Sequence, residues 1–540
     1  MHRREFIQLT SALAGGALLP AACTRPTIIA GEIKGVSAAV GHLVRDGALQ
    51  GAPVTTERAD VVIIGGGISG LSALRRLHRN GHQNVVLLEL EGHTGGNASS
   101  GSNAVSAYPW GAHYVPVPNN NLTEYLSFLE ACGVVTGYNP AGLPVYNEFY
   151  LCSDPQERLY INGSWQDGLI PASGIGAADK ADIDRFLHQM HVWSAAKGKD
   201  GKEAFAIPVD ASSKDPVYTA LDSITMQQWL QQQGYASPYL HWYVDYCTRD
   251  DFGTTIDKVS AWAGIHYFAC RKGRAANAAA NDVLTWPQGN GWLAEQLRHD
   301  TEGAIRTQAL ATRVVPVEGG VAVHYYDVQQ KQLKAIDARQ CIMAIPQFVA
   351  ARLLPDAAER MPLLHAHYHY TPWVVANLTV KQLYERSGAP ASWDNVIYGG
   401  ASLGYVDATQ QQLQQLKPKR VLTYYRPLAT ASAVEERKLA QQRTHAQWVQ
   451  MILDDLRIVH PDIDTQTERI DVMIHAHAMA QPLPQMIHGA VRQQLRKPVN
   501  GNIHFAHTDV AGVSIFEEAF YQGIQAADAV MEHLITTPVS

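Results

Sequence analysis

A chain of 540 residues exceeds what one compact core buries, so two or more domains are expected. Apolar content of 46% with 17% charged residues describes a globular chain rather than a disordered one. A net charge of −7 without long basic runs excludes nucleic acid as a partner, and past the N-terminus no apolar run reaches the ~20 residues of a membrane span.

Residues 1–23 read as a targeting segment to be left out of the fold. Arg3-Arg4-Glu5-Phe6-Ile7 is a twin-arginine pattern, followed by a weakly apolar stretch and by Leu19-Pro20-Ala21-Ala22-Cys23. Small residues before a cysteine resemble a lipoprotein processing site, which makes Cys23 a candidate lipid anchor. Pro20 departs from the usual leucine, and cleavage nearby or an uncleaved anchor are the alternatives. The pattern implies the twin-arginine export machinery as a partner and the periplasm as destination. Because that route carries folded proteins, a cofactor would be taken up before export. The later cysteines, Cys132, Cys152, Cys247, Cys270 and Cys341, are odd in number and irregularly spaced. Buried free thiols are expected, with one bridge left open. Residues 24–57 read as a linker or arm.

Residues 60–96 then read strand, glycine turn, helix, strand. Val61–Ile64 is the apolar, β-branched run of a buried parallel strand. Gly65, Gly67 and Gly70 form G-x-G-x-x-G: a sharp turn, a close approach for a pyrophosphate, and close helix packing. A helix over roughly 68–80 aims its N-terminus at the phosphates. The strand 84–88 ends in Glu89, about 20 residues past the glycines, where a carboxylate can accept from a ribose hydroxyl. Taken alone, this stretch predicts a dinucleotide, NAD or FAD.

Further on, helical spacing predicts helices at 122–132, 183–193 and 226–233, and the aromatic-rich 239–246 and 259–268 read as two more. These aromatic residues suit core packing, or an apolar pocket. A turn and helix occupy 286–297. Two β-branched runs around Glu318-Gly319-Gly320 predict a hairpin. The run Ala338-Arg339-Gln340-Cys341-Ile342-Met343-Ala344-Ile345-Pro346 is a buried strand stopped by proline. Residues 374–380 and 420–425 suggest a second sheet, and 441–459 a long amphipathic helix. His475-Ala476-His477 puts two imidazoles on one strand face without a third ligand, so no metal is expected. Finally 502–509 is a strand ending in polar residues, before a helix over 516–534.

With these pieces in order, the sequence resembles the flavin-containing amine oxidase superfamily. GGGISGLSALRRL…VVLLELEGHTGG is similar to its FAD signature, including Gly95-Gly96. WGAHYVPVPNNNLTEYLSFLEACGV resembles the segment beside the flavin ring. AIPQFVAARLL resembles its A-x-P strand, and FAHTDVAG…EEAFYQGIQAADAV its C-terminal signature.

The resemblance implies noncovalent FAD. Gly65, Gly67, Ile68, Ser69 and Gly70 would cradle the pyrophosphate, and Glu89 would hold the adenosine ribose. Gly95, Gly96 and Asn97 would continue the phosphate and ribityl site. Trp110, Gly111, Ala112 and His113 would lie against the isoalloxazine. Val314 would meet the adenine through its backbone, and Asp509 would bond a ribityl hydroxyl. Ile515 and Phe516 would present helix N–H groups to the flavin N1/O2 edge. His113 is a weak candidate acid or base, the alternative being that only its backbone faces the flavin. Trp262, Tyr267 and Tyr405 are candidates to line a substrate pocket. Three departures stand out: Asn97 replaces a usual arginine, His507 replaces the glycine of FAG, and 372–377 lacks the lysine that many members place near flavin N5.

The expected fold is α/β: a Rossmann-like FAD-binding domain from 58–115, 275–350 and 480–535, and an inserted α+β substrate domain from 116–274 and 351–479. The expected function is oxidation of a small-molecule, amine-type substrate by hydride transfer to flavin N5. The alternatives are a phytoene-desaturase-like desaturase or isomerase on an apolar substrate, and a non-enzymatic FAD-binding exported protein.

Overall fold

The computed structural model describes residues 29–412 and 418–536, so the twin-arginine segment and Cys23 lie outside the described residues. Two large sheets organise the chain. The first runs Ile305–Arg306, Val85–Leu88, Thr56–Ile64, Gln332–Met343, Gly320–Asp327, Ala309–Val317, with Ile503–Phe505 added beside the end of Gln332–Met343. Residues 61–64 pair in parallel with 85–88 on one side and 340–343 on the other. Covered on both faces, they are at most 3% exposed, which is why the run is uniformly apolar. Ile64 is level with Leu88 and Met343, and Met343 with Phe505. These parallel strands therefore end together, and α/β sheets bind ligands at such an edge.

Helix Ile68–Arg79 leaves that edge and packs against the last helix, Phe516–Thr536. Glycines permit the closeness. A Cβ on Gly70 would stand 1.9 Å from the Gly65 carbonyl oxygen, and one on Gly523 would stand 2.2 Å from that of Ser69.

The second sheet runs Ile33–Gly35, Thr467–Ala480, Tyr370–Val380, Arg420–Pro427, Tyr405–Asp407, Asp394–Ile397, Glu157–Ile161, Ser164–Asp167. Alternation along Tyr370–Val380 splits its faces. Val374, Ala376 and Leu378 meet Trp448 and Ile452 of helix His445–Leu456, while Trp373 and Val375 turn to the opposite cluster with Tyr246 and Tyr425. That opposite cluster includes residues of helix Pro238–Phe252, whose start is fixed by Pro238 and a Ser237 cap and whose end by Gly253 in a left-handed conformation.

Three expectations are corrected. The described part of the supposed linker contributes strand Ile33–Gly35, paired with Thr467–Ala480, and helix Ala38–Arg45; the strand is too short for periodicity to reveal it. The helix expected over 441–459 spans only His445–Leu456, because Thr444 and Gln447 form a capping box that starts it there, and a separate helix, Ala433–Gln442, precedes it. Helix Thr123–Ala131, grouped by sequence with the second domain, packs Tyr125 and Phe128 on Phe520 of the last helix. The hairpin of Ala309–Val317 and Gly320–Asp327 and the pairing of Tyr370–Val380 with Arg420–Pro427 form as expected. The five described cysteines are free. Among the described residues no helix is long and apolar enough to cross a membrane.

Candidate functional site

A cleft of about 430 Å³ opens where the parallel strands end, lined by Ile64, Leu88 and Ala344 at its floor. Its first wall is the glycine turn. Gly65 has φ +103°, and a Cβ there would lie 2.4 Å from the Ala344 oxygen, so only glycine fits. At Gly67 the opposite holds: a Cβ would meet no protein atom within 4 Å and would project into open space. Gly67 also starts helix Ile68–Arg79 without a side-chain cap, which leaves the first N–H groups to a ligand. Ile68, Ser69, Gly95, Gly96 and Asn97 line the same wall.

Glu89 follows strand Val85–Leu88. Its Oε2 accepts the Gly66 N–H at 2.6 Å and its Oε1 the Glu91 N–H at 2.8 Å. Burial raises its pKa and the two bonds oppose that. A carboxylate anchored in this way keeps lone pairs for a ribose hydroxyl. Toward the other end, Asp509 Oδ2 accepts from Tyr370 Oη at 2.6 Å and from the Gln347 N–H at 2.8 Å. Burial alone would raise the Asp509 carboxyl, but His507 and these bonds hold it below the ordinary value. Asp509 Oδ1 is buried and makes no hydrogen bond, with His507 Nδ1 standing 3.0 Å from it. An uncapped helix start, an open space beside Gly67 and a buried acceptor without a donor together fit a dinucleotide rich in phosphate and hydroxyl groups.

A second cavity, about 160 Å³, adjoins the first and shares Asn97, Ala112, His475, Ala478, Ile515 and Phe516 with it. Its walls carry the rings of Tyr114, Trp373 and Tyr425. The His113 ring stacks on Tyr425 at 4.5 Å and 28°. Tyr425 Oη donates to the Gly111 carbonyl at 3.1 Å, and His475 Nε2 donates to that of Trp110 at 2.6 Å, so two strands of the second sheet, Arg420–Pro427 and Thr467–Ala480, grip the 110–113 segment. Gly111 is needed there, since a Cβ would lie 2.1 Å from the Asn97 oxygen.

The same cavity carries charge. Asp250 and Asp251 close helix Pro238–Phe252, Arg271 follows helix Ala261–Ala269, and Glu517 opens the last helix. Arg271 Nη2 donates to both oxygens of Asp251 at 2.9 Å. Tyr114 Oη donates to Asp250 Oδ2 at 3.3 Å. Burial, then the charge of Asp251, pushes the Asp250 carboxyl up to about 7 against the pull of Arg271 and Tyr114. Burial raises Glu517 as well, partly offset by Arg271.

Several expected site residues stand elsewhere. His113 lines the second cavity, but burial pulls its pKa down to about 3, so the ring is neutral near pH 7 and a weak base. Trp110 contributes its carbonyl, while its ring packs edge-on to Tyr108 at 5.1 Å. Gly70 acts in helix packing and not at the cleft surface. Val314 is fully buried within its sheet, and the cleft instead meets Ala309, Leu310 and Ala311, earlier on the same strand. Trp262 is fully buried, stacked on His266 at 4.8 Å. Tyr267 lies behind Arg271, 4.8 Å from its guanidinium carbon. Tyr405 belongs to a separate polar cluster with Arg158 and His460. Of the two strand histidines, His475 is tied to Trp110 and His477 packs on Phe348 at 4.6 Å. Among the described residues no group of three metal-binding side chains assembles, and no residue lining either cavity is a lysine.

Sequence reasoning missed Asp250, Asp251, Arg271, Trp373, Tyr425 and Glu517. The available signal was Asp250-Asp251 ending an otherwise aromatic helix, an expensive place for two acids unless they face a cavity.

Comparison with known proteins places this geometry. The family model described as flavin containing amine oxidoreductase matches residues 68–531. A curated relative, oxidoreductase PigB of Serratia sp. (strain ATCC 39006), is 22% identical over 88% of this chain and 76% of its own. Two solved structures share the fold. Cyclohexylamine oxidase from Brevibacterium oxydans IH-35A has a TM-score of 0.62 at 16% identity, covering 88% of this chain and all of its own. The CLA-producing fatty acid isomerase from P. acnes has a TM-score of 0.61 at 16% identity, covering 88% of this chain and 99% of its own.

Proposed function

Because the chain belongs to the flavin containing amine oxidoreductase family and is a flavin-dependent oxidoreductase, we propose that its flavin is noncovalent FAD and its substrate a small amine. Gly65 to Ser69, Glu89 and Asp509 would hold the cofactor, with Ala112, His475 and Ile515 beside its ring. Among the described residues no cysteine lines the cleft, and the His475 ring is committed to Trp110, which supports noncovalent binding. When bound, the flavin supplies a hydride acceptor.

The observation that carries the substrate reading is the second cavity. It adjoins the cofactor cleft, is walled by aromatic rings, and holds three acids against one arginine that is already paired. Aromatic walls exclude water and receive a carbon skeleton, and the excess of acids favours a cation. At about 160 Å³ it matches the ~150 Å³ that holds a benzene ring, so the reacting part of the substrate is one ring or a short chain. The desaturase alternative needs a long apolar channel, which a small charged cavity does not favour. Purified protein is expected to be yellow and to bleach anaerobically with cyclohexylamine. A colourless folded protein refutes the cofactor reading. A yellow protein that no amine bleaches refutes the substrate reading.

Export in folded form by the twin-arginine route to the periplasm, with Cys23 as lipid anchor, is proposed from Arg3-Arg4 and the residues before Cys23. Replacing both arginines by lysine should retain the loaded protein in the cytoplasm.

A further inference from the structure

The charged side chains of the second cavity are unequal. Arg271 spends one nitrogen on both oxygens of Asp251 at 2.9 Å, so each largely neutralises the other. Glu517 lines the cavity at the start of the last helix, where Arg271 also acts on it. Asp250 is left with one long bond from Tyr114 Oη at 3.3 Å. One further polar atom of this wall has no partner. Asn290 is 1% exposed and gives its Nδ2 to the Tyr114 carbonyl, which leaves Oδ1 without a donor. A buried acceptor left so on a cavity wall beside an acid with one long bond points to a ligand that donates.

We propose that Asp250 is the proton acceptor of this site, taking one N–H proton from the ammonium form of the substrate and leaving the nitrogen with its lone pair. The inference rests on the small-amine reading above. In the step the ammonium N–H bond breaks, an O–H bond forms on Asp250, and the charges of substrate and carboxylate cancel. A neutral amine is the form that can give up hydride, since an ammonium nitrogen has no electron pair to push. Asn290 Oδ1, which lacks a donor in the same cavity, would accept a second N–H.

The surroundings suit Asp250 to the task. Burial and the neighbouring acid Asp251 raise its proton affinity, while Arg271, Arg249 and Tyr114 keep the carboxylate accessible near neutrality. Asp394, from strand Asp394–Ile397, also faces it, and the Asp394 carboxyl lies well above its ordinary range through burial and the charges of Glu157 and Asp250. A group poised near the working pH both accepts and releases a proton readily. The other candidates fail on chemistry: burial holds His113 near 3, and among the described residues no lysine lines either cavity.

The test uses tert-butylamine, which has no hydrogen on the carbon bearing nitrogen and so binds without being oxidised. Its affinity for the flavin-loaded protein is measured by calorimetry from pH 5.5 to 9. In the wild type, affinity should be level above pH ~7.5 and fall about tenfold per unit below pH ~7, with close to one proton released on binding at pH 6 and none at pH 8. In Asp250→Asn, binding at pH 8 should weaken at least tenfold and lose both the pH break and the proton release. Glu517→Gln should keep both. A second measurement separates an acceptor from a mere anchor. With cyclohexylamine as substrate, wild-type kcat/KM should rise to a plateau near pH 7, whereas in Asp250→Asn it should keep rising toward the amine's own ionisation near ~10. Equal flavin spectra confirm that the variant is folded and loaded. A break that persists in Asp250→Asn, or a wild type that binds the amine without one, overturns the assignment alone. A yellow wild type that binds no amine at any pH overturns the parent reading and this one with it.

Discussion

The two adjoining cavities are built by opposite means. The larger is made of main chain: Gly65, Gly67, Gly95 and Gly96 bring backbone to its surface, and the helix N–H groups beyond Gly67 are its polar lining. The smaller is made of side chains from positions as distant as Tyr114 and Glu517. A backbone site is written in local spacing, because each glycine answers a contact within a few residues or across one strand pair. A side-chain site exists only after strands and helices far apart in sequence have met. The first therefore constrains the cofactor tightly, and the second is free to change the substrate.

The sharpest way to break this contrast is Gly67→Val. The backbone of Gly67, at φ −74° and ψ −175°, suits any residue, and a Cβ meets no protein atom within 4 Å. The fold should be untouched, while the side chain occupies the space left for phosphate. Flavin affinity should fall more than 100-fold, over ~2.7 kcal/mol, with the melting temperature of the cofactor-free protein unchanged. Absorbance after dialysis and a thermal scan read the two effects. A variant that keeps its flavin would show that backbone approach at Gly67 is not what shapes the cleft.

A substitution in the smaller cavity should instead act on stability. The Asp250 carboxyl is raised in the folded protein from 3.8 to about 7. The folded state thus binds this proton more tightly than the unfolded state, and stability from this group is full below pH ~4 and lost as pH rises toward 7. That displacement sets a ceiling of ~4 kcal/mol at ~1.4 per pH unit, and an amide accepts less well from Tyr114, so ~2 kcal/mol is expected. Asp250→Asn should be more stable than wild type by that amount at pH 8 and equal to it at pH 4, by urea unfolding. A difference independent of pH would show that the carboxyl is not held near neutrality.

Tyr425→Ala sharpens the contrast at the boundary. It removes the ring stacked on His113 and the bond to the Gly111 carbonyl, and leaves the cleft residues in place. About a tenfold loss in kcat/KM, ~1.4 kcal/mol, with unchanged flavin content is expected. Loss of flavin instead would mean that the cavity wall also holds the cofactor.

The same division governs what could be read in advance. The strand of Val61–Ile64, the glycine turn, Glu89 and the Gly95-Gly96 pair are local patterns, and all reach the cleft. Val314 was misplaced within a correctly read hairpin, because which part of a strand meets a ligand depends on register with its neighbours. Trp262, Tyr267 and Tyr405 stand out in the sequence only as aromatic residues, and aromatic rings are as useful in a core as in a pocket. Asp250 and Asp251 carried the better signal: two adjacent acids closing an aromatic-rich helix have few places to go.

Tyr405 gives the smallest effect and the cleanest separation. It is 3% exposed and lines neither cavity. His460 Nδ1 donates to the Tyr384 carbonyl at 2.8 Å, so His460 Nε2 is the acceptor of the Tyr405 hydroxyl at 2.7 Å. Burial lowers the pKa of His460 and keeps it in the neutral form that this bond requires. Arg158 Nη2 also reaches the hydroxyl, at 3.4 Å, but bonds Glu385 as well. Tyr405→Phe therefore orphans one imidazole nitrogen and little else, a cost of ~1 kcal/mol. Thermal unfolding should show that loss, while KM, kcat and flavin content stay at wild-type values. A rise in KM would return Tyr405 to the substrate's surroundings and mean that the path to the cavity passes the Arg158 cluster.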